Sequence, residues 1–414
     1  MKAHFVGYHC SICGAEYAPD AITYTCLNDG GNLDVILDYE AIRRNVTGEA
    51  ILAAKEPSLW RYLPLLPVDD PGGAETPIHA AGYTPVFSVQ GMADQLGIRS
   101  LWVKDESRNP TASYKDRASA VVVAKARQIH AEVVVTASTG NAGAALAGMA
   151  AAIGQKAVIF APRTAPPAKV AQLLIFGATV YLVDGTYDDA FDLTIQAAGE
   201  FGWYCRNSGY NPFTAEGKKT ASLEIWEWMS RAHLGDKPLS VFVSVGDGNI
   251  ISGMHKGFKD LHQLGWLEHI PRLFGVQAHG SAAIARAFMS GTETIVPVSA
   301  NTIADSISVD LPRDGVRAVR AARETGGSYV MVSDDEIIAS IGELGKVGIF
   351  AEPAGATSYA GVVKAVRDGL LNPDEPVLAI NTGSGLKDVR AAMRAVPEPV
   401  VIEPSLQALK KVMG

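Results

Sequence analysis

The chain is poor in cysteine, with four in 414 residues. That is too few for a disulfide scaffold, so a reducing, cytoplasmic setting is expected. It also lacks an excess of positive charge. Its 44 acidic and 36 basic side chains give a net charge of -8, which argues against general nucleic-acid binding. An anionic ligand must then be met by cations gathered locally. No run of about 18 apolar residues is present to span a membrane. Met1-Lys2-Ala3-His4-Phe5 lacks the apolar core of a signal peptide. There is no G-x-x-x-x-G-K-S/T phosphate loop, and Gly246-Asp247-Gly248 lacks dinucleotide-fingerprint spacing. Internal repeats and low-complexity tracts are missing as well.

What the chain has is glycine, 41 residues, in a composition that is 48% hydrophobic. Such a chain can build a large core with many tight turns. Its length predicts two domains plus an appendage. Apolar strand-like runs stand at 101–103, 133–135, 157–160, 179–183, 239–243, 272–276, 328–332 and 377–380. Helical segments separate them, among them 141–153, 165–176, 187–201, 216–229 and 250–264. Continuous apolar strands alternating with helices predict an α/β fold with a parallel sheet covered on both faces. In such sheets ligands collect at the carboxyl ends of the strands. Residues 39–55 read as partly helical, and 57–77 as a turn-rich surface arm anchored by Leu59, Trp60, Leu63, Leu65 and Leu66.

Four strand-to-helix loops carry candidate chemistry. In the first, Asn109-Pro110-Thr111 breaks the strand. Ser113 stands where a helix N-cap is expected, with the helix body at 118–129. Lys115 then falls in a first helical turn, where the helix dipole and burial both disfavour its charge. A lysine of lowered pKa suits Schiff-base chemistry, although an isolated lysine is more often a solvated ion paired with a neighbour such as Asp116. The second loop, Ser138-Thr139-Gly140-Asn141-Ala142-Gly143, opens an alanine-rich helix. Its hydroxyls and free amides suit a carboxylate or phosphate, and equally suit an ordinary cap. The third, Ser244-Val245-Gly246-Asp247-Gly248-Asn249, offers backbone amides as a phosphate nest. The fourth, Asn381-Thr382-Gly383-Ser384-Gly385-Leu386-Lys387-Asp388, places a small hydroxyl after the last strand, or simply a tight turn.

The first 38 residues form a separate unit. Cys10-Ser11-Ile12-Cys13 and Cys26 resemble three quarters of a zinc ribbon, with a strand expected at 21–24. Asp29 stands at knuckle spacing for a fourth ligand, and His9 is nearby. A ribbon that folds without metal is the competing reading.

Lysine, nest, asparagine and hydroxyl together resemble the fold type II family of pyridoxal-phosphate enzymes, built like the tryptophan synthase β-subunit. Within it the chain is similar to the threonine synthases over nearly its whole length. The resemblance rests on Asn109 to Arg117, with Ala112 for the usual glycine and Tyr114 for phenylalanine. It rests also on Ser138 to Asn141, Arg206 to Pro212, Glu216 to Thr220, Thr302 to Ile307, Glu352 to Thr357 and Thr382 to Asp388.

The resemblance implies two open parallel-sheet domains behind a zinc-ribbon-like unit. The divisions expected are 1–38, an arm at 39–100, a small domain at 118–205, a large one at 101–117 plus 206–400, and a tail at 401–414. It implies pyridoxal phosphate held as a Schiff base on Lys115, which also moves the protons. Asn141 is then expected at the ring hydroxyl, and Thr382 at the ring nitrogen. Gly246, Asp247, Gly248 and Asn249 fall at the cofactor phosphate, and Ser138 and Thr139 at a substrate carboxylate. The activity implied is conversion of O-phospho-L-homoserine to threonine by a homodimer. Two departures keep a second substrate open. Ala142 stands where the family commonly has threonine, and Thr179 where it usually has a basic residue. Lys169, Lys218, Arg163 and Asn207 are candidates to replace them. The alternatives are a cysteate-synthase-like enzyme acting on phosphoserine, a threonine or serine ammonia-lyase, and a non-catalytic binding protein.

Overall fold

The chain opens as a small antiparallel sheet. β1 (Phe5–Cys10) pairs with β2 (Glu16–Tyr17) on one side and β3 (Leu33–Leu37) on the other. This computed structural model describes residues 4–21, 24–138, 140–165, 167–232, 234 and 238–413. Ile22 and Thr23, half of the strand expected at 21–24, lie outside them. β3 alternates with the period of two that one buried face requires, burying Leu33, Val35 and Leu37. Asp38 caps α1 (Tyr39–Asn45) and Thr47 caps α2 (Gly48–Leu52), each accepting from an amide in the first turn. The arm beyond them is anchored more deeply than a surface arm. Leu59, Trp60, Leu65 and Leu66 are buried in the main core, with Leu63 packed partly against it.

Next come β4 (Val86–Ser88), α3 (Gln90–Leu96), β5 (Ser100–Asp105) and α4 (Lys115–Gln128). β4, which precedes the strands expected to be parallel, runs antiparallel to β5. The link between them is shorter than the dozen or so residues a parallel crossover needs. The chain then crosses to a second sheet made of β6 (Val133–Ala137), β7 (Lys156–Pro162), β8 (Thr179–Val183) and β9 (Tyr204–Cys205). α5 (Asn141–Ala152), α6 (Pro167–Ile175) and α7 (Tyr187–Phe201) connect them in turn. All four strands are parallel, in the order β8-β7-β6-β9.

α8 (Phe213–Arg231) returns the chain to the first sheet. There follow β10 (Ser240–Ser244), α9 (Asn249–Gln263), β11 (Arg272–Ala278), α10 (Ala283–Met289), α11 (Gly315–Glu324) and β12 (Tyr329–Val332). α12 (Asp334–Lys346), α13 (Pro353–Arg367) and β13 (Pro376–Asn381) complete it. The six strands lie in the order β12-β11-β10-β13-β5-β4. α14 (Val389–Met393) follows, and the expected tail contains α15 (Leu406–Met413), which buries none of its residues.

The strand orders place the site. After β10 the chain adds β11 and β12 on one side, and β13 closes on the other. In the second sheet β7 and β8 add on one side of β6, with β9 on the other. Each reversal opens a crevice at the carboxyl ends of the strands. The loops leaving β6, β9, β10 and β13 therefore meet.

Candidate active site

Lys115 is held by both chain ends of its loop. Ala112 takes φ 61, the left-handed region that a glycine adopts without strain. Ser113 forms a bridge with Gly383, and the amide of Tyr114 donates to the Thr382 carbonyl at 2.9 Å. The expected Ser113 cap is not formed. Its hydroxyl is buried without a partner among the described residues, because its backbone is committed to the bridge, and Tyr114 occupies the cap position. Lys115 is thus the first residue of α4. Asp116 does not pair with it. The Asp116 carboxylate accepts from the Thr111 amide at 2.6 Å and from the Thr111 hydroxyl. Arg117, on the next residue, is wholly buried and bridges Glu106 and Glu224, with Lys104 Nζ 2.7 Å from Glu224. This neutral four-charge cluster anchors the helix under the lysine.

The Lys115 amine donates no hydrogen bond to any described residue. Burial lowers its pKa to about 8; Glu352 and Asp247 work against that shift, while Arg206 and Lys387 add to it. It faces a cavity of about 400 Å³ onto which both switch points open. From β6 come Ser138, Gly140, Asn141 and Ala142, and from β9 comes Ser208. From β10 come Gly246 to Asn249, and from β13 comes Thr382.

In the β10 loop, the amides of Gly246, Asp247 and Gly248 donate to no described residue. Gly248 has φ 93, and a Cβ there would stand 2.6 Å from the Asp314 carbonyl oxygen. A Cβ on Gly246 would stand 2.7 Å from Ile307 Cα. Packing behind the loop thus enforces both glycines and leaves the amides free for an anion. The Asp247 side chain turns away, accepting from the Arg313 amide at 2.6 Å, and burial pushes its carboxyl up to about 6. Asn249 begins α9. Its Nδ2 donates to Asp314 Oδ2 at 2.6 Å, and its Oδ1 accepts from Lys218 Nζ at 2.6 Å. Lys218 lines the cavity on a well-buried side chain. Burial, with Lys115 and Arg206 nearby, holds its pKa well below the ordinary value.

Opposite, Asn141 Nδ2 donates to Glu352 Oε1 at 2.7 Å and to Ser306 Oγ at 3.3 Å, leaving its Oδ1 free among the described residues. The hydroxyls of Thr382 and Ser244 have no described partner either. Glu352 and Ser306 are cavity residues that strand-end reasoning did not single out, although both stand in stretches that carry the family resemblance. The signal was present there, without a role attached to it.

The remaining candidates divide. Ser138 lines the cavity, and its Oγ accepts from the Gly140 amide at 3.1 Å. Thr139 lies outside the described residues. Lys169 pairs with Asp305, a lining residue, and its Nζ is 3.9 Å from where a Cβ on Gly140 would stand. Asn207 is not at the cavity: its Oδ1 accepts from the Thr136 hydroxyl and the Ala137 amide, tying β9 to β6. Thr179 is exposed at the amino end of β8, away from the carboxyl ends where ligands gather, so the charge missing there leaves the cavity unchanged. Arg163 is an exposed partner of Asp184. Cys10 ends β1, and Cys13 and Cys26 stand in the loops of the N-terminal unit, away from the cavity.

These donors fit pyridoxal phosphate. A buried amine, three amides at a helix start and an amide oxygen, all free among the described residues, line one cavity with a neutral hydroxyl.

Comparison with known proteins agrees. A profile of the pyridoxal-phosphate dependent enzymes matches residues 78–383. The chain is 39% identical to threonine synthase of Methanocaldococcus jannaschii over 409 residues, covering 98% of each chain. It is 34% identical to threonine synthase of Mycobacterium tuberculosis over 348 residues, covering 83% of this chain and 92% of that one. Among solved structures it resembles threonine deaminase isoform 2 of Solanum lycopersicum. The TM-score is 0.66 at 23% identity, over 80% of this chain and 96% of that one, a likeness of fold. The chain therefore belongs to the pyridoxal-phosphate dependent enzymes and, within them, to the threonine synthases.

Proposed function

We propose that the cavity converts O-phospho-L-homoserine and water to L-threonine and phosphate, with Lys115 as its proton carrier. The supporting observation is the buried Lys115 amine, free of hydrogen bonds among the described residues, beside amides of the β10 loop that are likewise unpaired among them. Lys115 would hold the cofactor. The amides of residues 246–249 and the Lys218 ammonium would hold its phosphate, with Asn141 Oδ1 and the Thr382 hydroxyl at its ring. Bound there, pyridoxal phosphate supplies the electron sink that acidifies hydrogens at the substrate's Cα and Cβ.

In the overall change, protons leave Cα and Cβ, and phosphate leaves Cγ. Cγ gains a proton, water leaves its hydroxyl at Cβ while its other proton departs with the phosphate, and Cα regains a proton. A lysine amine with a pKa of about 8 both accepts and returns protons near neutrality, and one flexible side chain serves adjacent carbons. The Ser138 hydroxyl and the start of α5 receive the substrate carboxylate. Lys169, beside Gly140 at the cavity edge, meets the leaving phosphate on release from Asp305. Two copies of the chain, working in the cytoplasm, form the unit we expect.

The test supplies O-phospho-L-homoserine, phosphoserine and threonine in parallel to the cofactor-loaded protein. Threonine and phosphate from the first, abolished by Lys115→Ala, is the expected result. Phosphate from phosphoserine alone, or ammonia from threonine alone, overturns the substrate assignment.

A further inference from the structure

The N-terminal sheet carries a cluster that the cavity does not use. One ligand atom each from Cys10, Cys13, Cys26 and Asp29 lies within 4.8 Å of all the others. Cys13 Sγ and Cys26 Sγ are 3.6 Å apart, and Cys10 Sγ is 3.4 and 3.7 Å from the two Asp29 oxygens. Tetrahedral zinc with bonds of about 2.3 Å to sulfur and about 2.1 Å to oxygen sets such edges at about 3.6–3.8 Å.

The backbone is built twice on one plan. Cys10 to Gly14 and Cys26 to Gly30 each form a turn in which the glycine amide donates to the first cysteine's carbonyl, at 3.1 and 2.9 Å. In each, the amide two residues after that cysteine points at its sulfur, at 3.4 Å. Gly14 and Gly30 close the turns at φ 74 and 71, where a side chain would strain the backbone. Two matching knuckles facing each other bring four ligands to one point. The fourth is the carboxylate of Asp29, oriented by the Gly31 amide at 2.8 Å, and not His9, which is outside the group. A Cβ on Gly31 would stand 2.9 Å from both Cys10 Sγ and Asp29 Oδ1, so a glycine is needed beside the cluster.

We infer that Cys10, Cys13, Cys26 and Asp29 bind one divalent zinc-class ion in a closed structural site. Three thiolates select a soft or borderline metal, and four protein ligands leave no open position for chemistry. The unit it braces is tied to the catalytic body. Arg320 donates to the Ser11 carbonyl between the first knuckle's cysteines, and Arg317 donates to Asp34 on β3 at 2.7 Å.

The test uses the full-length protein, purified under reducing conditions and dialysed. Elemental analysis should find about one zinc per chain. After chelation, cobalt(II) should restore one equivalent with thiolate-to-metal charge-transfer and tetrahedral ligand-field absorbance, read with the cofactor removed. Asp29→Cys should keep the metal and intensify the charge transfer, whereas Cys13→Ser, at an exposed position, should weaken binding at least tenfold. Wild-type protein that takes up neither metal, or that shows a Cys13–Cys26 disulfide by mass spectrometry while reduced buffers restore no site, overturns the inference.

Discussion

Replacing Lys218 tests the electrostatics of the cavity most directly. Its ammonium is almost fully buried, donates to Asn249 Oδ1 at 2.6 Å and Ser208 Oγ at 3.1 Å, and has Lys115 and Arg206 as cationic neighbours. Burial and like charge work against it in the cofactor-free protein. A cofactor phosphate held by the adjacent loop would repay that cost. A hydrogen bond to a charged group contributes about 1.5–3 kcal/mol, and about 1.4 kcal/mol corresponds to tenfold in affinity. Lys218→Met should therefore weaken cofactor binding by roughly 10- to 100-fold by absorbance titration. The stability of the cofactor-free protein should hold or rise, because Asn249 Oδ1 keeps the Thr214 hydroxyl at 3.1 Å. Lys218→Gln keeps a donor without the charge and should resemble the methionine variant. Wild-type affinity in Lys218→Met would refute the phosphate role, and wild-type affinity in Lys218→Gln alone would show that the donor, not the charge, matters.

Three further outcomes are expected. Glu352→Gln removes the largest influence that raises the Lys115 pKa, so the loading midpoint should fall below about 8. Stopped-flow loading across pH reads the midpoint, and one unchanged from the wild type would refute the role of Glu352. Arg117→Met leaves Glu106 and Glu224 buried with Lys104 alone and should cost about 3–5 kcal/mol in denaturant unfolding; a loss under about 1 kcal/mol would count against the cluster as the anchor of α4. The same cluster sets acid behaviour. Burial opposes ionisation of Glu224, but Arg117 and Lys104 outweigh it and depress its pKa to about 2. Its stabilisation is full above the unfolded value of about 4.3 and is lost as pH falls toward about 2. Circular dichroism against pH should place the acid transition in that window, shifted upward in Arg117→Met.

How much of this site the residues disclosed depended on whether a feature was local. Strand-to-helix loops are local, and Lys115, Asn141, Gly246 to Asn249 and Thr382 all reached one cavity because each follows a strand of apolar period. The helix start at Lys115 was misplaced for a non-local reason. Ser113 has the chemistry of a cap, but its backbone is bridged to Gly383, some 270 residues away in sequence, and a cap preference carries no information about such a bridge. β9 is two residues long, too short to show a period, yet its position beside β6 creates the second crevice and delivers Ser208. Asn207 stands among the candidates to replace the missing threonine and basic residue, and nothing local in the sequence distinguishes that role from a structural one. Only the register of β9 on β6, which aims its Oδ1 at the Ala137 amide, assigns it to holding the sheet together. Thr179 reverses the case. A missing charge counted against a phosphorylated substrate only while its place on β8 was unknown, and the amino end of that strand removes the objection. Spacing thus singles out loop residues with groups suited to chemistry, while strand order and register determine which of them line the cavity.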